Sequence, residues 1–472
     1  MRRADEARYH VVVGDLSWAA ACAALVAVLV GCKGRTPRTL DKPPASAPQP
    51  VQPSGRAPEA GSGEVAPATL APASSEPIAG ATFLADGTAL VAHGDQLELF
   101  GVDGAPRARL AYRGKQWEVS RTASSPELAV LRNADGKNTV TFFDASGRET
   151  GSVDAGPGEA MYSHIVQLSS RRVLFKSGRD IRVLERPTGR VVASLVHFSG
   201  SVDDEVTRSV VDQGMGRIVV TELDGSGTTK TYPYRYEEID SDGMQYAAAH
   251  TLSPDGRTLA IEEPGGVSVL ALPAGARTWV KGARVLSGSG PTAGGTYARD
   301  PLTWLRPGKL TLAQGRSTLL SVEAADPKKV ERFAPKAWCA GVERCRADFL
   351  VWEDVQWTSA GPVLLMADFP KLLWWAPGQA QRAFDPGLRD NAADALSADG
   401  RYVLDTDFRR AVRVLAVGPD AKTPWKIVAE HVGVGIFSPD GLRALLWNAR
   451  GFRLVELEGG RVIASGDAPS KH

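Results

Sequence analysis

Any chemistry in this chain must be assembled from sparse material. Seven histidines occur, and those beyond the leader (His93, His164, His197, His250, His431 and His472) lie far apart in sequence. None has local support as a metal ligand or general base, and each reads as an ordinary loop or strand residue. No Gly-x-Ser-x-Gly turn is present, which removes the strained nucleophile elbow of the hydrolases. Gly114-Lys115, Gly136-Lys137 and Gly308-Lys309 all lack the upstream glycine that a phosphate-cradling loop needs. Two acidic clusters offer hard oxygen ligands: Asp203-Asp204-Glu205, and the run from Glu237 through Asp240 and Asp242 to Gly243. The second opens like a calcium loop but lacks the later ligands and the bidentate glutamate, so a solvated turn is the better reading of both. The sequence thus assigns no catalytic residue, no metal site and no cofactor.

Four cysteines are present. Cys22 lies within an apolar leader and Cys32 ends it. Cys339 and Cys345 close a short loop, which in an exported chain favours a disulfide; two unpaired thiols are the other reading. No histidine stands near them to suggest zinc. The surrounding stretch, 277–376, carries Trp279, Trp304, Trp338, Trp352, Trp357, Trp374 and Trp375 of the eleven tryptophans. Tryptophan packs as core or anchors an interface. Core is the expectation for most, with Trp338 beside the cysteine loop, and Glu343 and Arg344 within it, as candidate binding residues.

The elements that must position these residues begin with the leader. Arg2, Arg3 and Arg8 supply a basic start, diluted by Asp5, Glu6 and Asp15. From Trp18 to Gly31 run fourteen uncharged residues, too few for a bilayer-spanning helix of roughly 20 but suited to a signal-peptide core. The stretch ends in Leu29-Val30-Gly31-Cys32, which resembles the lipobox of bacterial lipoproteins. The resemblance implies cleavage before Cys32 and acylation of its thiol, the signal peptide being 1–31; an ordinary secretory signal containing a cysteine is the alternative. Each buried acyl methylene adds about 0.8 kcal/mol of membrane attachment, so several chains hold firmly. Lys33 is not the aspartate that retains lipoproteins at the inner membrane, so the resemblance implies a cell-envelope, outer-membrane address. Residues 33–78 contain ten prolines and few large apolar side chains, the composition of a disordered spacer. A flexible chain of that length reaches roughly 35–40 Å and an extended polyproline form about 140 Å.

Bulk composition bounds the rest. Of 472 residues, 43% are hydrophobic and 23% charged, ordinary for a chain that buries a core. The 55 Lys+Arg nearly balance 54 Asp+Glu, which argues against a general nucleic-acid binder.

From residue 79 to 472 one pattern returns: an Asp-Gly-type turn, a β-rich run, a short loop, a second run and another glycine turn. Ser253-Pro254-Asp255-Gly256, Ser397-Ala398-Asp399-Gly400 and Ser438-Pro439-Asp440-Gly441 are the clear copies. Weaker ones start near Leu84, Ser124, Ser169, Asp212, Arg306 and Ser359. Within the runs, pairs such as Val267 and Val269, Val412 and Val414, or Phe452 and Leu454 stand two apart, the period of one strand face. Successive starts stand about 38–45 residues apart, stretching to about 53 on either side of the copy at Arg306, and such a period fits propeller blades. The turn-plus-strand pattern resembles the WD40-like repeats of the TolB-type β-propeller family. The expected fold is therefore an all-β propeller; of the nine copies, the first is open to completion by the C-terminal strand around Arg461–Ser465 and one weak copy reads as an insertion, so eight blades are favoured, with seven next. A pair of β-sandwiches is the alternative fold. The expected role is a non-catalytic interaction module with an envelope protein or peptide partner. The competing reading is a propeller enzyme, quinoprotein-like oxidoreductase or hydrolase, with a site at the central channel.

Overall fold

The computed structural model describes residue 74 and residues 76–467, apart from 112–115, 121–125, 159–162, 179, 197–200, 214–215, 237–248, 286–307, 315–317, 335–350, 369–370, 386–391, 408–410 and 421–422. Chain contacts separate 1–67, which lies outside the described residues, from 68–472, to which every described residue belongs.

Nine four-stranded antiparallel sheets follow one another: β1–β4 (Ile78–Ala111), β5–β8 (Gln116–Pro157), β9–β12 (Ser163–Val196), β13–β16 (Ser201–Pro233), β17–β20 (His250–Lys281), β21–β24 (Ala283–Phe333), β25–β28 (Val351–Phe384), β29–β32 (Ala392–His431) and β33–β36 (Val434–Asp467). No helix occurs among the described residues. These are the blades, numbered 1 to 9, of an all-β propeller. In each blade the strands run in chain order, so the turns after the first and third strands open on one rim. The turns after the second strand, and the connections to the next blade, open on the other.

Blade-to-blade packing explains the two-residue period. Successive side chains of a strand face opposite sides, and in a propeller each side meets a neighbouring blade. In blade 1, Leu90, Ala92, Leu97 and Leu99 pack against Val119, Leu128, Val130 and Phe143 of blade 2. The alternate residues Ala89, Val91 and Phe100 pack against Leu445, Phe452 and Leu454 of blade 9. Likewise Val267 and Val269 meet Leu310 and Leu312 of blade 6, while Leu270 meets Tyr232 of blade 4. Because both faces are covered, Ala89–His93 and Gln96–Phe100 are buried throughout. Fully burying one such Leu or Phe contributes about 1.5–3 kcal/mol.

The expectation of eight blades is corrected to nine. The C-terminal strand, β36 (Arg461–Asp467), pairs with β35 (Gly451–Glu456) of its own blade and does not complete blade 1, whose β1 (Ile78–Phe83) comes from the start of the array. Among the described residues no strand is exchanged between the two ends of the array. The ring closes through side-chain packing and a backbone hydrogen bond: the Phe100 and Phe452 rings lie 5.1 Å apart, and the Ile78 N–H donates to Ala449 O at 3.2 Å.

The Ser-Pro-Asp-Gly turns are built as their composition demands. Gly441 adopts φ 69° and donates its N–H to Ser438 O at 2.9 Å. Asp440 Oδ1 accepts the Leu442 N–H at 3.0 Å, and Ser438 Oγ accepts the Arg443 N–H at 3.0 Å. Blade 4 reaches the same geometry with different residues, which corrects the repeat start read at Asp212: that residue ends the blade's second strand. The true turn has Asp203 in the serine position, accepting the Thr207 N–H at 2.8 Å, and Val206 in the glycine position at φ 56°.

That left-handed residue has a second use. Its carbonyl accepts a side-chain donor from the preceding blade: Val206 O from Arg172 Nη1 at 2.8 Å, Gly256 O from Arg208 Nη1 at 2.6 Å, Gly400 O from Trp374 Nε1 at 2.9 Å, and Gly87 O from Arg443 Nη1 at 3.1 Å. The last of these latches blade 9 to blade 1 across the closing seam.

Candidate functional site

Cys32, Trp338, Cys339, Glu343, Arg344 and Cys345 all lie outside the described residues, as do Trp304, His197, His472 and the Glu237–Gly243 acidic run. The other tryptophans of the 277–376 stretch whose side chains are described are Trp279, Trp357, Trp374 and Trp375. Trp374 is 4% exposed, with the Arg382 guanidinium 4.4 Å from its ring. Trp357 donates to Thr311 Oγ1 at 2.9 Å and stacks edge-on with Phe333 at 5.4 Å. Trp375 packs into the same inter-blade cluster. Trp279 instead stands exposed on the outer strand of blade 5.

Two of the buried acids, Asp203 and Asp354, serve the backbone. Asp203 takes two N–H groups and the Thr207 hydroxyl, and its desolvation still pushes the carboxyl upward. Asp354 ties the first strands of blades 7 and 8 by accepting the Leu396 N–H at 2.7 Å, and burial raises its pKa as well. Among the described residues no group of three or more His, Cys, Asp or Glu side chains is placed to hold a metal.

A buried polar trio sits at the closing seam. Arg109 Nε lies 2.9 Å from Glu98 Oε1, His93 Nε2 lies 3.7 Å from Glu98 Oε2, and His93 Nδ1 is 3.1 Å from Glu76 O. Strand alternation turns this trio to the side of blade 1 that faces blade 9, since Ala89, Val91 and Phe100 lie on that side. Burial opposes charge on His93, but Glu98 and the Glu76 carbonyl outweigh it and raise its pKa. Burial likewise opposes charge on Glu98, yet His93 and Arg109 hold its pKa down. His164 goes the other way, lowered by burial and by Lys176.

An open cleft of about 880 Å³ lies between blades 8 and 9, on the rim formed by second-strand turns and inter-blade connections. Its walls come from the end of β32 (Lys426–His431), the connection after it, and the Asn448–Arg450 turn that joins β34 (Arg443–Asn448) to β35. Asn448 shapes the turn by accepting the Arg450 N–H at 2.7 Å and the Gly451 N–H at 3.0 Å, and by donating to Val432 O. Arg453 donates to Glu430 O at 3.2 Å, which fixes its guanidinium over the gap. His431 Nε2 lies 3.4 Å from Gly451 O. Val432 is 66% exposed at the mouth. The sequence reading missed this site. Its residues belong to two blades, and only the ring brings them together.

No family model matches the chain, and no curated protein matches it in sequence. Several solved structures are similar to it. Hsv2 of Kluyveromyces lactis has 11% identity and a TM-score of 0.37, covering 75% of this chain and 98% of its own. A structure described as the eukaryotic initiation factor has 13% identity and a TM-score of 0.39, covering 85% and 91%. BamB from Moraxella catarrhalis has 12% identity and a TM-score of 0.36, covering 70% and 93%. At these scores the likeness carries no argument, and the fold assignment rests on the strand order and inter-blade packing.

Proposed function

We propose that the chain is a bacterial lipoprotein held in the cell envelope, at the outer membrane, through Cys32, and that its TolB-like ring is a non-catalytic module binding a protein or peptide partner. The Leu29–Cys32 motif and the proline-rich spacer that follows support the anchor. The observation that carries the binding role is the cleft between blades 8 and 9, where exposed basic side chains and an exposed apolar residue are mounted on the ring. Loops and turns held by such a scaffold are where recognition concentrates. Two of the buried carboxylates support a non-catalytic reading, because Asp203 and Asp354 spend their oxygens on backbone donors.

The test is purification of the full chain from detergent-solubilised envelopes. A stoichiometric protein partner is expected, and Cys32→Ala should release the chain into the soluble fraction. Recovery of no partner across several detergents sinks the binding role; an unchanged membrane fraction for Cys32→Ala sinks the anchor.

A further inference from the structure

The cleft between blades 8 and 9 is one-sided in its chemistry. Arg450 and Arg453 are exposed, and among the described residues neither guanidinium pairs with a carboxylate. Arg453 spends one N–H on Glu430 O; Arg450 is held through its backbone only. Among the described residues of the wall Glu430 is the one acid, but its strand register places it opposite Arg413. Arg413 bonds Asp405, two residues along β30 (Tyr402–Asp407) from Val403, which packs against Trp374 of blade 7. Pleating therefore turns the Glu430 side chain toward blade 7, and the gap toward blade 9 keeps only its carbonyl. His431, one residue on, faces blade 9.

We infer that this cleft binds an extended, carboxylate-bearing peptide segment of a protein partner, with Arg450 and Arg453 holding the carboxylate and Val432 packing beside a neighbouring apolar side chain. The inference deepens the binding role proposed above and rests on it. Guanidiniums are suited to carboxylates because their planar fork makes two charge-assisted hydrogen bonds at once. The volume of about 880 Å³ sits at the upper end of the roughly 300–1,000 Å³ range for small-molecule sites, more than a single anion needs. Exposed Val432 and Ala449 add an apolar wall that a bare phosphate leaves unused.

The experiment places a photocrosslinking residue at Val432, or at Leu442 on the opposite rim, in the full chain in intact cells, and maps the captured segment by mass spectrometry. From Val432 the expected product is one protein segment containing Asp, Glu or a C-terminal carboxylate. Its yield should fall about tenfold in Arg450→Glu and in the Arg450→Gln/Arg453→Gln pair, with the thermal midpoint of Arg450→Glu unchanged because that side chain bonds nothing among the described residues. A captured segment without a carboxylate, capture of lipid, or yields unaffected by the charge changes overturns the inference. Protein capture from Leu442 alone overturns it too while leaving the wider binding role standing. Capture from neither position removes both.

Discussion

Replacing Arg443 with methionine tests how the ring is closed. The residue is 4% exposed, its Nη1 donates to Gly87 O at 3.1 Å across the seam, and its Nη2 pairs with Asp440. Methionine keeps much of the apolar stem, so the loss falls mainly on the charged hydrogen bond and on a carbonyl left unsatisfied. Hydrogen bonds to charged groups contribute about 1.5–3 kcal/mol. Asp440 keeps its solvent contact, with a side chain 39% exposed, so no charge is stranded. A loss near 2.5 kcal/mol in an array running from Ile78 to Asp467 corresponds to a drop of about 3 °C in thermal midpoint. The location of the damage matters more than its size. The seam between blades 9 and 1 is the one interface no inter-blade connection spans, so hydrogen exchange should accelerate first in β1 and β36. Arg208→Met removes the equivalent latch between blades 4 and 5 and should lower the midpoint without that seam-specific exchange. Identical exchange patterns for the two variants, or a midpoint shift for Arg443→Met below about 1 °C, would refute seam closure by this latch.

Three further outcomes follow from particular residues. His93 has its pKa raised, so its contribution is complete below the ordinary imidazole value and lost as pH rises through the folded one. Glu98 has its pKa lowered, so its contribution is complete above the ordinary carboxylate value and lost as pH falls through the folded one. Asp95 and Arg109 are the other charges acting on the pair. Stability should therefore peak between those limits, and His93→Gln should flatten the alkaline side of a melting-temperature profile against pH; an unchanged profile removes the trio from the account. Val206 is β-branched at φ 56° and fully buried. A left-handed residue costs about 1–2 kcal/mol against about 0.5–1 kcal/mol for glycine entropy, so Val206→Gly should cost less stability than Val206→Ala in denaturant titration, and the ordinary order would contradict strain there. Trp374→Phe leaves Gly400 O without its 2.9 Å donor and should cost about 1–2 kcal/mol by the same titration; a neutral result would mean water replaces the indole.

The fold was legible wherever one residue type does one job. Ser438, Asp440 and Gly441 announce their turn because hydroxyl, carboxylate and missing side chain each meet a specific backbone need. Blade 4 hid its turn because Asp203 does the serine's work with a carboxylate and Val206 bears strain a glycine avoids. Blade number was misjudged at the ends. Ile78–Phe83 ahead of the first turn and Arg461–Asp467 after the last were each enough for a strand, which leaves nothing for the termini to share. The cleft was not legible at all. Glu430, His431, Asn448 and Arg450 look like ordinary loop-edge residues until strand register and blade packing set them across one gap.

Closure without strand exchange also sets an order of events during folding. Eight interfaces form between neighbours in sequence and can assemble as the chain advances. The ninth cannot. The flank of blade 1 carrying Ala89, Val91 and Phe100 stays wet and sticky until the segment from Val434 to Asp467 arrives. A chain truncated by one blade is then not a smaller ring but a ring with two greasy lips, prone to meet another copy of itself.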